Sequence, residues 1–215
     1  MITTIIFDMN GVITDDEEIH EFATQEVFGR IGINLTSDIY RELCLGRTDE
    51  ASFKDLLKYY KVRDQNMEKM IAAKSSKYQL LIRGNLKVYP GVISLIKKLH
   101  KNYTLALTSS STFEEVHTVV SQLNLEKFFK IIVTSKDVIH GKPDPEPYFL
   151  TAKKINVKCE NCLVLEDSEN GVQSAISAGM KCIAITNTED PGKLTKADRI
   201  INNYTLLTDA FIQNV

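Results

Sequence analysis

Short apolar runs separated by longer amphipathic stretches set the pattern of this chain. Thr3–Phe7, Thr104–Leu107, Ile131–Val133, Cys162–Leu165 and Cys182–Ile185 are each brief, apolar and rich in β-branched residues, and Arg199–Ile201 is a weaker sixth run. Runs of this length and composition, bounded by turn-forming residues, predict buried strands. Between them, apolar positions at helical spacing predict helices over Val92–Lys101, Thr112–Gln122, Pro147–Ile155 and Gly171–Ala178. Thr112 and Glu115 stand three apart at the start of one of these, the spacing of a capping box. Strand and helix in alternation predict an α/β fold, a doubly wound parallel sheet with helices on both faces.

The alternation lapses between residues 16 and 85. Ile19, Phe22, Ala23, Glu26 and Val27 recur at helical spacing, as do Phe53, Leu56, Leu57 and Tyr60, and Asp64–Ile82 also reads as helical. This predicts an all-helical insertion directly after the first strand. Gly84-Asn85 and Tyr89-Pro90-Gly91 mark the return, since such residues break helices and strands alike. The predicted organisation is an α/β core made of residues 1–15 and 86–215, with a helical cap over 16–85.

Charge narrows the function. Lys and Arg number 26 against 28 Asp and Glu, a net −2, over 215 residues. That balance gives no electrostatic argument for nucleic acid or an acidic surface. No run approaches the roughly 20 apolar residues of a membrane span, and Asp8 interrupts the first apolar stretch too early for a signal peptide. Cys44, Cys159, Cys162 and Cys182 make a poor disulfide framework for a chain of this length, so a reducing, cytoplasmic setting is expected. Cys159 and Cys162 form a lone CxxC, which reads as a metal or redox pair or simply as the approach to a buried strand. A monomer is expected, with no nucleic-acid or membrane partner.

Four segments carry residues suited to chemistry. Asp8-Met-Asn-Gly11 follows the first strand, and in a doubly wound sheet ligands gather at the carboxyl ends of strands. A carboxylate there can attack an electrophile or hold a hard metal, or it can simply be a turn residue. Ser109, Ser110 and Ser111 end the second strand just before a helix, where hydroxyls and N–H groups suit an anion, although serine runs are also ordinary loops. Lys142 precedes Pro143, Pro145 and Pro147, which stiffen its surroundings. Glu166 and Asp167 close another apolar strand and suit Mg2+, or serve as acids at a helix N-terminus. His20, His100, His117 and His140 show no metal spacing.

Taken together and in this order, Phe7-Asp-x-Asn-Gly-Val-Ile-Thr-Asp15, Tyr89-Pro-Gly91, Lys142-Pro-x-Pro145 and Leu165-Glu-Asp-Ser-x-x-Gly-Val172 resemble the haloacid dehalogenase superfamily, in its β-phosphoglucomutase-like phosphatase branch. The resemblance covers nearly the whole chain. It implies a Rossmann-like core, a mobile cap and a Mg2+-dependent phosphatase acting on a small phosphorylated metabolite, such as a sugar phosphate. It further implies Asp8 as the nucleophile that becomes an aspartyl phosphate. Ser109 and Lys142, with Ser110 beside them, are implied to bind the phosphoryl group, and Lys74 to reach the site from the cap. The implied Mg2+ ligands are Asp8, the main-chain carbonyl of Asn10, and Asp167 with Glu166 adjacent. The departures are as telling. Asn10 stands where the family has its acid–base aspartate, and an amide cannot transfer a proton at neutral pH. Asp15, Asp16, Glu17 and His20 are the nearby candidates to replace it. Near Gly46, Asp49 stands where mutases carry arginine and Arg47 lies two places early; Thr112 stands where a mutase offers lysine. A phosphosugar mutase and a catalytically impaired binding protein of the same fold are the alternatives.

Overall fold

The computed structural model describes all 215 residues. Six strands, β1 Thr4–Phe7, β2 Thr104–Thr108, β3 Ile131–Val133, β4 Cys162–Glu166, β5 Lys181–Ile185 and β6 Arg199–Ile201, form one sheet in the order β3-β2-β1-β4-β5-β6. Every neighbouring pair is parallel. This is the Rossmann-like doubly wound arrangement that the alternation predicts. The weak sixth run is a true edge strand, and Cys162 opens β4 in full burial.

The period-two alternation of the strands divides the core. Ile5, Phe7, Leu105, Leu107, Leu163, Leu165, Ile183 and Ile185 face one side, against α5 (Val92–Leu99) and α6 (Phe113–Gln122). Ile6, Ala106, Val164, Cys182 and Ala184 face the other, against α7 (Glu146–Ile155) and α8 (Glu169–Ser177). The second face carries the smaller side chains, which lets the helices there approach closely. The predicted capping box is formed: Thr112 Oγ1 accepts from Glu115 N, and Glu115 Oε2 accepts from Thr112 N at 3.0 Å.

Residues 17–82 hold four helices, α1 (Glu17–Gly29), α2 (Ser37–Leu43), α3 (Asp49–Tyr59) and α4 (Met67–Ile82), and no strand. They enclose a core of their own around Val27, Phe28, Tyr40, Phe53 and Leu56. Ala23, Tyr78 and Ile82 join the main core instead, seating α1 and α4 on the sheet layer. The outgoing and returning connections run side by side: Asp15 N donates to Lys87 O at 3.1 Å, and Tyr89 N to Ile13 O at 3.1 Å. No helix is long and apolar enough to cross a membrane.

Candidate active site

The register of the central strands decides where the chemistry gathers. Phe7 pairs with Leu107 on one side and Leu165 on the other. The next residues, Asp8, Thr108-Ser109 and Glu166-Asp167, therefore emerge together at the carboxyl ends of three adjacent strands, at the switch point where β1 separates the two halves of the sheet.

Lys142 reaches into this group from its proline-rich loop. Its Nζ donates to Asp8 Oδ1 and to Glu166 Oε1, each at 2.6 Å, and the three side chains are almost wholly buried. Burial alone would lower the Lys142 pKa, but the two carboxylates hold it above its usual range. Burial pushes Asp8 up to about 7, with Lys142 pulling the other way. Glu166 also feels burial, yet Lys142 and its hydrogen bonds keep its carboxyl below the usual range. Both of its oxygens are engaged. Oε1 also accepts from Tyr148 OH at 2.7 Å, and Oε2 accepts from Asp167 N, Ser168 N and Ser168 Oγ. Glu166 thus orients Lys142 and has little capacity left as a direct metal ligand.

Asp167 is the opposite case. It is buried, and no lysine, arginine or histidine pairs with it. Burial, reinforced by the charges of Glu166 and Asp8, raises its pKa well above the carboxylate range. Ligand oxygens of Asp8, Glu166 and Asp167 all lie within 4.8 Å of one another. A buried carboxylate without a counter-charge, in an oxygen-only cluster, suits a hard divalent cation. Gly11, at φ +78°, makes room for it: a Cβ there would fall 1.7 Å from Asp167 Oδ2.

Asn10 is held from both sides. Its Oδ1 accepts from Ser111 Oγ at 2.8 Å and from Ser109 Oγ at 3.4 Å. Its Nδ2 donates to both Asp16 oxygens at 3.1 Å and lies 2.9 Å from His20 Nε2. Asp16 also accepts from Thr14 Oγ1 at 2.9 Å and Tyr78 OH at 2.5 Å, and burial raises its pKa. His20 stacks on Tyr78 with ring centroids 4.0 Å apart; burial, then the Lys74 charge, lowers its pKa well below the usual value. Of the four suggested stand-ins for an acid–base group, Asp16 and His20 touch Asn10, and Glu17 lines the cavity beside them. Asp15 instead meets the Tyr89 hydroxyl at 3.4 Å, in an exposed contact.

Lys74 lines the same cavity, but three groups hold its ammonium: Glu115 Oε1 at 3.1 Å, Asp49 Oδ2 at 3.0 Å and His20 Nδ1 at 2.9 Å. Ser109 lies beside Asn10 and takes a hydrogen bond from Ser111 N. Ser110 turns elsewhere, donating to Gly46 O at 3.1 Å, where it joins the core to the helical segment. Asn170 Nδ2 does the same, donating to Leu45 O at 2.9 Å. The Gly46–Asp49 turn therefore sits over the cleft and narrows it, leaving about 50 Å³ open to water-sized groups. Sequence reasoning gave Glu115 only its capping role and gave Asn170, Tyr148 and Ser52 none. The first two lie inside recognised patterns, as a cap partner and within the Leu165–Val172 motif, while Tyr148 and Ser52 carry no signal apart from the fold.

Comparison with known proteins agrees with this geometry. Residues 5–185 match the haloacid dehalogenase-like hydrolase family. The chain is 31% identical over 211 residues to a phosphorylated carbohydrates phosphatase of Thermotoga maritima, covering 92% of this chain and 96% of that protein. It is 25% identical to the fructose-1-phosphate phosphatase YqaB of Escherichia coli, over 84% of this chain and 95% of that one. Its fold superposes on the crystal structure of a β-phosphoglucomutase from Clostridium difficile with a TM-score of 0.88 at 26% identity, covering 100% of this chain and 96% of the other. With strand order, clustered acids and buried lysine all in register, the chain belongs to the haloacid dehalogenase-like hydrolase family.

Proposed function

We propose that this protein is a Mg2+-dependent phosphatase of phosphorylated carbohydrates that works through an aspartyl phosphate on Asp8. The observation that carries the reading is the Asp8–Lys142–Glu166 arrangement beside Asp167, a carboxylate with no counter-charge of its own. The relatives named as phosphatases of phosphorylated carbohydrates and of fructose 1-phosphate support the substrate class.

In this reading Asp8, the Asn10 main-chain carbonyl and Asp167 hold the cation, with Glu166 behind them. Bound there, Mg2+ would neutralise charge on the phosphoryl oxygens and on the acids around them. An Asp8 oxygen attacks phosphorus while the bond from phosphorus to the ester oxygen breaks. The departing alkoxide takes a proton from solvent water. Water then attacks phosphorus, the acyl-phosphate bond opens to regenerate the Asp8 carboxylate, and the proton of the attacking water is released. Lys142 neutralises charge throughout, and the Ser109 hydroxyl and the Ser110 N–H orient the phosphoryl oxygens. The Asn10 side chain can neither donate the first proton nor accept the second, so turnover of alkyl esters is slow. The division into a core of 1–15 and 86–215 and a cap of 16–85 belongs to the same reading, because the cleft is lined from both parts and movement of the helical segment would widen it for a sugar phosphate.

A mutase is less well supported, because it needs a second phosphate site and Lys74 and Arg47 are already engaged by acids. A binding protein without turnover is favoured by one observation, the firm hold on the Asn10 amide. Phosphate release from a panel of sugar phosphates, nucleotides, phosphoglycolate and aryl phosphates, with and without Mg2+, tests the proposal. Release that needs Mg2+ and is greatest with aryl phosphates and sugar phosphates supports it. Tight binding of sugar phosphates with no release from any ester, aryl phosphates included, would favour the binding protein.

A further inference from the structure

Away from the phosphoryl end, the cavity wall is built by α1, α3, α4 and the turn at Gly46, and its charges are already matched or unanswered acids. The Lys74 ammonium lies between Asp49 and Glu115, at 3.0 and 3.1 Å. Arg47, the other cation on this wall, turns to Asp55 at 2.7 Å and donates to Leu43 O at 2.8 Å. Glu17 meets no cation; its carboxyl accepts from the Tyr40 hydroxyl at 2.7 Å. Two buried polar atoms of cavity-lining residues, Asp49 Oδ2 and Ser52 Oγ, lack a well-formed hydrogen bond. Asp49 Oδ2 has only its charge contact with Lys74, and Ser52 only the Cys44 thiol beside it.

We propose that this wall selects monophosphates whose leaving portion is uncharged and rich in hydroxyls, and that Asp49 is the specificity-determining residue that shuts out a second phosphate. The proposal deepens the phosphatase reading and rests on it. A hydroxyl can donate to Asp49 Oδ2 beside its Lys74 contact and give Ser52 Oγ a stronger partner than the Cys44 thiol. A second phosphate would meet Glu17, Asp49 and Glu115 with no cation free to receive it. Binding it would mean drawing Lys74 away from two acids, leaving both uncompensated and buried.

The test is calorimetric binding to the Mg2+-loaded protein of a matched pair, fructose 1-phosphate and fructose 1,6-bisphosphate, alongside hydrolysis of p-nitrophenyl phosphate. Like charges brought together cost several kcal/mol, so the monophosphate should bind tighter by about 10²-fold. Asp49→Asn should narrow that ratio by about tenfold, since it releases Lys74 from one of its two acids, and Asp49→Arg should narrow it further. Ser52→Ala should weaken fructose 1-phosphate while leaving inorganic phosphate unaffected. Equal or tighter binding of the bisphosphate by the unaltered protein would overturn the inference, and so would a ratio unmoved by either Asp49 change. Should the Asp49 variants not fold, the unaltered protein's ratio and the Ser52→Ala result decide. Failure to hydrolyse p-nitrophenyl phosphate would instead count against the phosphatase reading, with the binding selectivity still standing or falling on the calorimetry.

Discussion

Replacing Asn10 with aspartate is the perturbation that bears most directly on catalysis. The Asn10 Nδ2 lies 3.1 Å from both oxygens of Asp16, inside the protein. A carboxylate oxygen in its place would confront another carboxylate at that distance. At an effective dielectric near 20, two like charges so placed repel by about 5 kcal/mol. One pKa unit is about 1.4 kcal/mol, so the pair retains one proton at neutral pH. The variant would then carry the transferable proton that the amide lacks, beside the Ser109 and Ser111 hydroxyls. A positioned acid–base group contributes about 10²–10⁴-fold. Asn10→Asp should therefore raise kcat/KM for an alkyl phosphate by about 10²-fold or more, and for an aryl phosphate far less, because an aryloxide needs little protonation to leave. The assay is steady-state hydrolysis by both proteins across esters of graded leaving-group pKa. The unaltered protein should show the steeper dependence on leaving group, and its aspartyl phosphate should be the longer lived. The gain carries a cost of known sign. A folded-state pKa raised above the unfolded value means stability that is present at low pH and lost as pH rises through it, so the variant should lose stability relative to the parent on the alkaline side. Parallel leaving-group plots for the two proteins would refute the reasoning, and His20 or Glu17 would become the group to alter next.

Four further outcomes are expected. Asp167→Asn should weaken Mg2+ affinity by at least about 10²-fold, the upper end for partners outside the metal's direct ligands, yet raise the melting temperature of the metal-free protein, since it removes a buried carboxylate that no cation answers; calorimetry and thermal melts check the two halves separately. Glu17 is raised by burial from 4.5 to about 7, so the stability it contributes below its unfolded pKa is lost as pH rises toward and through 7. Glu17→Gln should flatten that dependence and be the more stable protein at pH 8 by up to about 3 kcal/mol, with near-equality at pH 5, as read from urea unfolding. Lys142→Met strips the counter-charge from Asp8 and Glu166 together and should cost about 3–5 kcal/mol in the metal-free state as well as abolishing phosphate release. Gly11→Ala places a Cβ 1.7 Å from Asp167 Oδ2 at a positive φ, and should reduce Mg2+ binding even if circular dichroism shows the fold intact.

Much of the architecture was legible because it rests on local periodicity. Each strand run recurs as a strand, and the two faces of β1 separate Ile5 and Phe7 from Ile6 as period-two alternation requires. Helix α8 begins at Glu169, two residues early, because Ser168 Oγ accepts from Gly171 N and caps it, while α7 begins at Glu146, one residue ahead of Pro147. Helix α2 was not separately foreseen, since seven residues with a single buried side chain carry almost no periodic signal. The clustering of Asp8, Glu166 and Asp167 was also within reach, because sheet topology sends strand ends to one edge; Lys142, on a loop, was assigned to the site only by the family resemblance. What only the tertiary structure decided is the company each charge keeps. Lys142 and Asp8 are 134 positions apart, and Lys74 and Glu115 are 41 apart. Nothing in the chain around Lys74 says that two acids hold it, or that the serine run divides between Asn10 and Gly46. A secondary-structure period is set by neighbours along the chain; the availability of a charge is set by whatever long-range packing brings within about 3 Å of it, and that is what distinguishes a cation free to bind phosphate from one already matched.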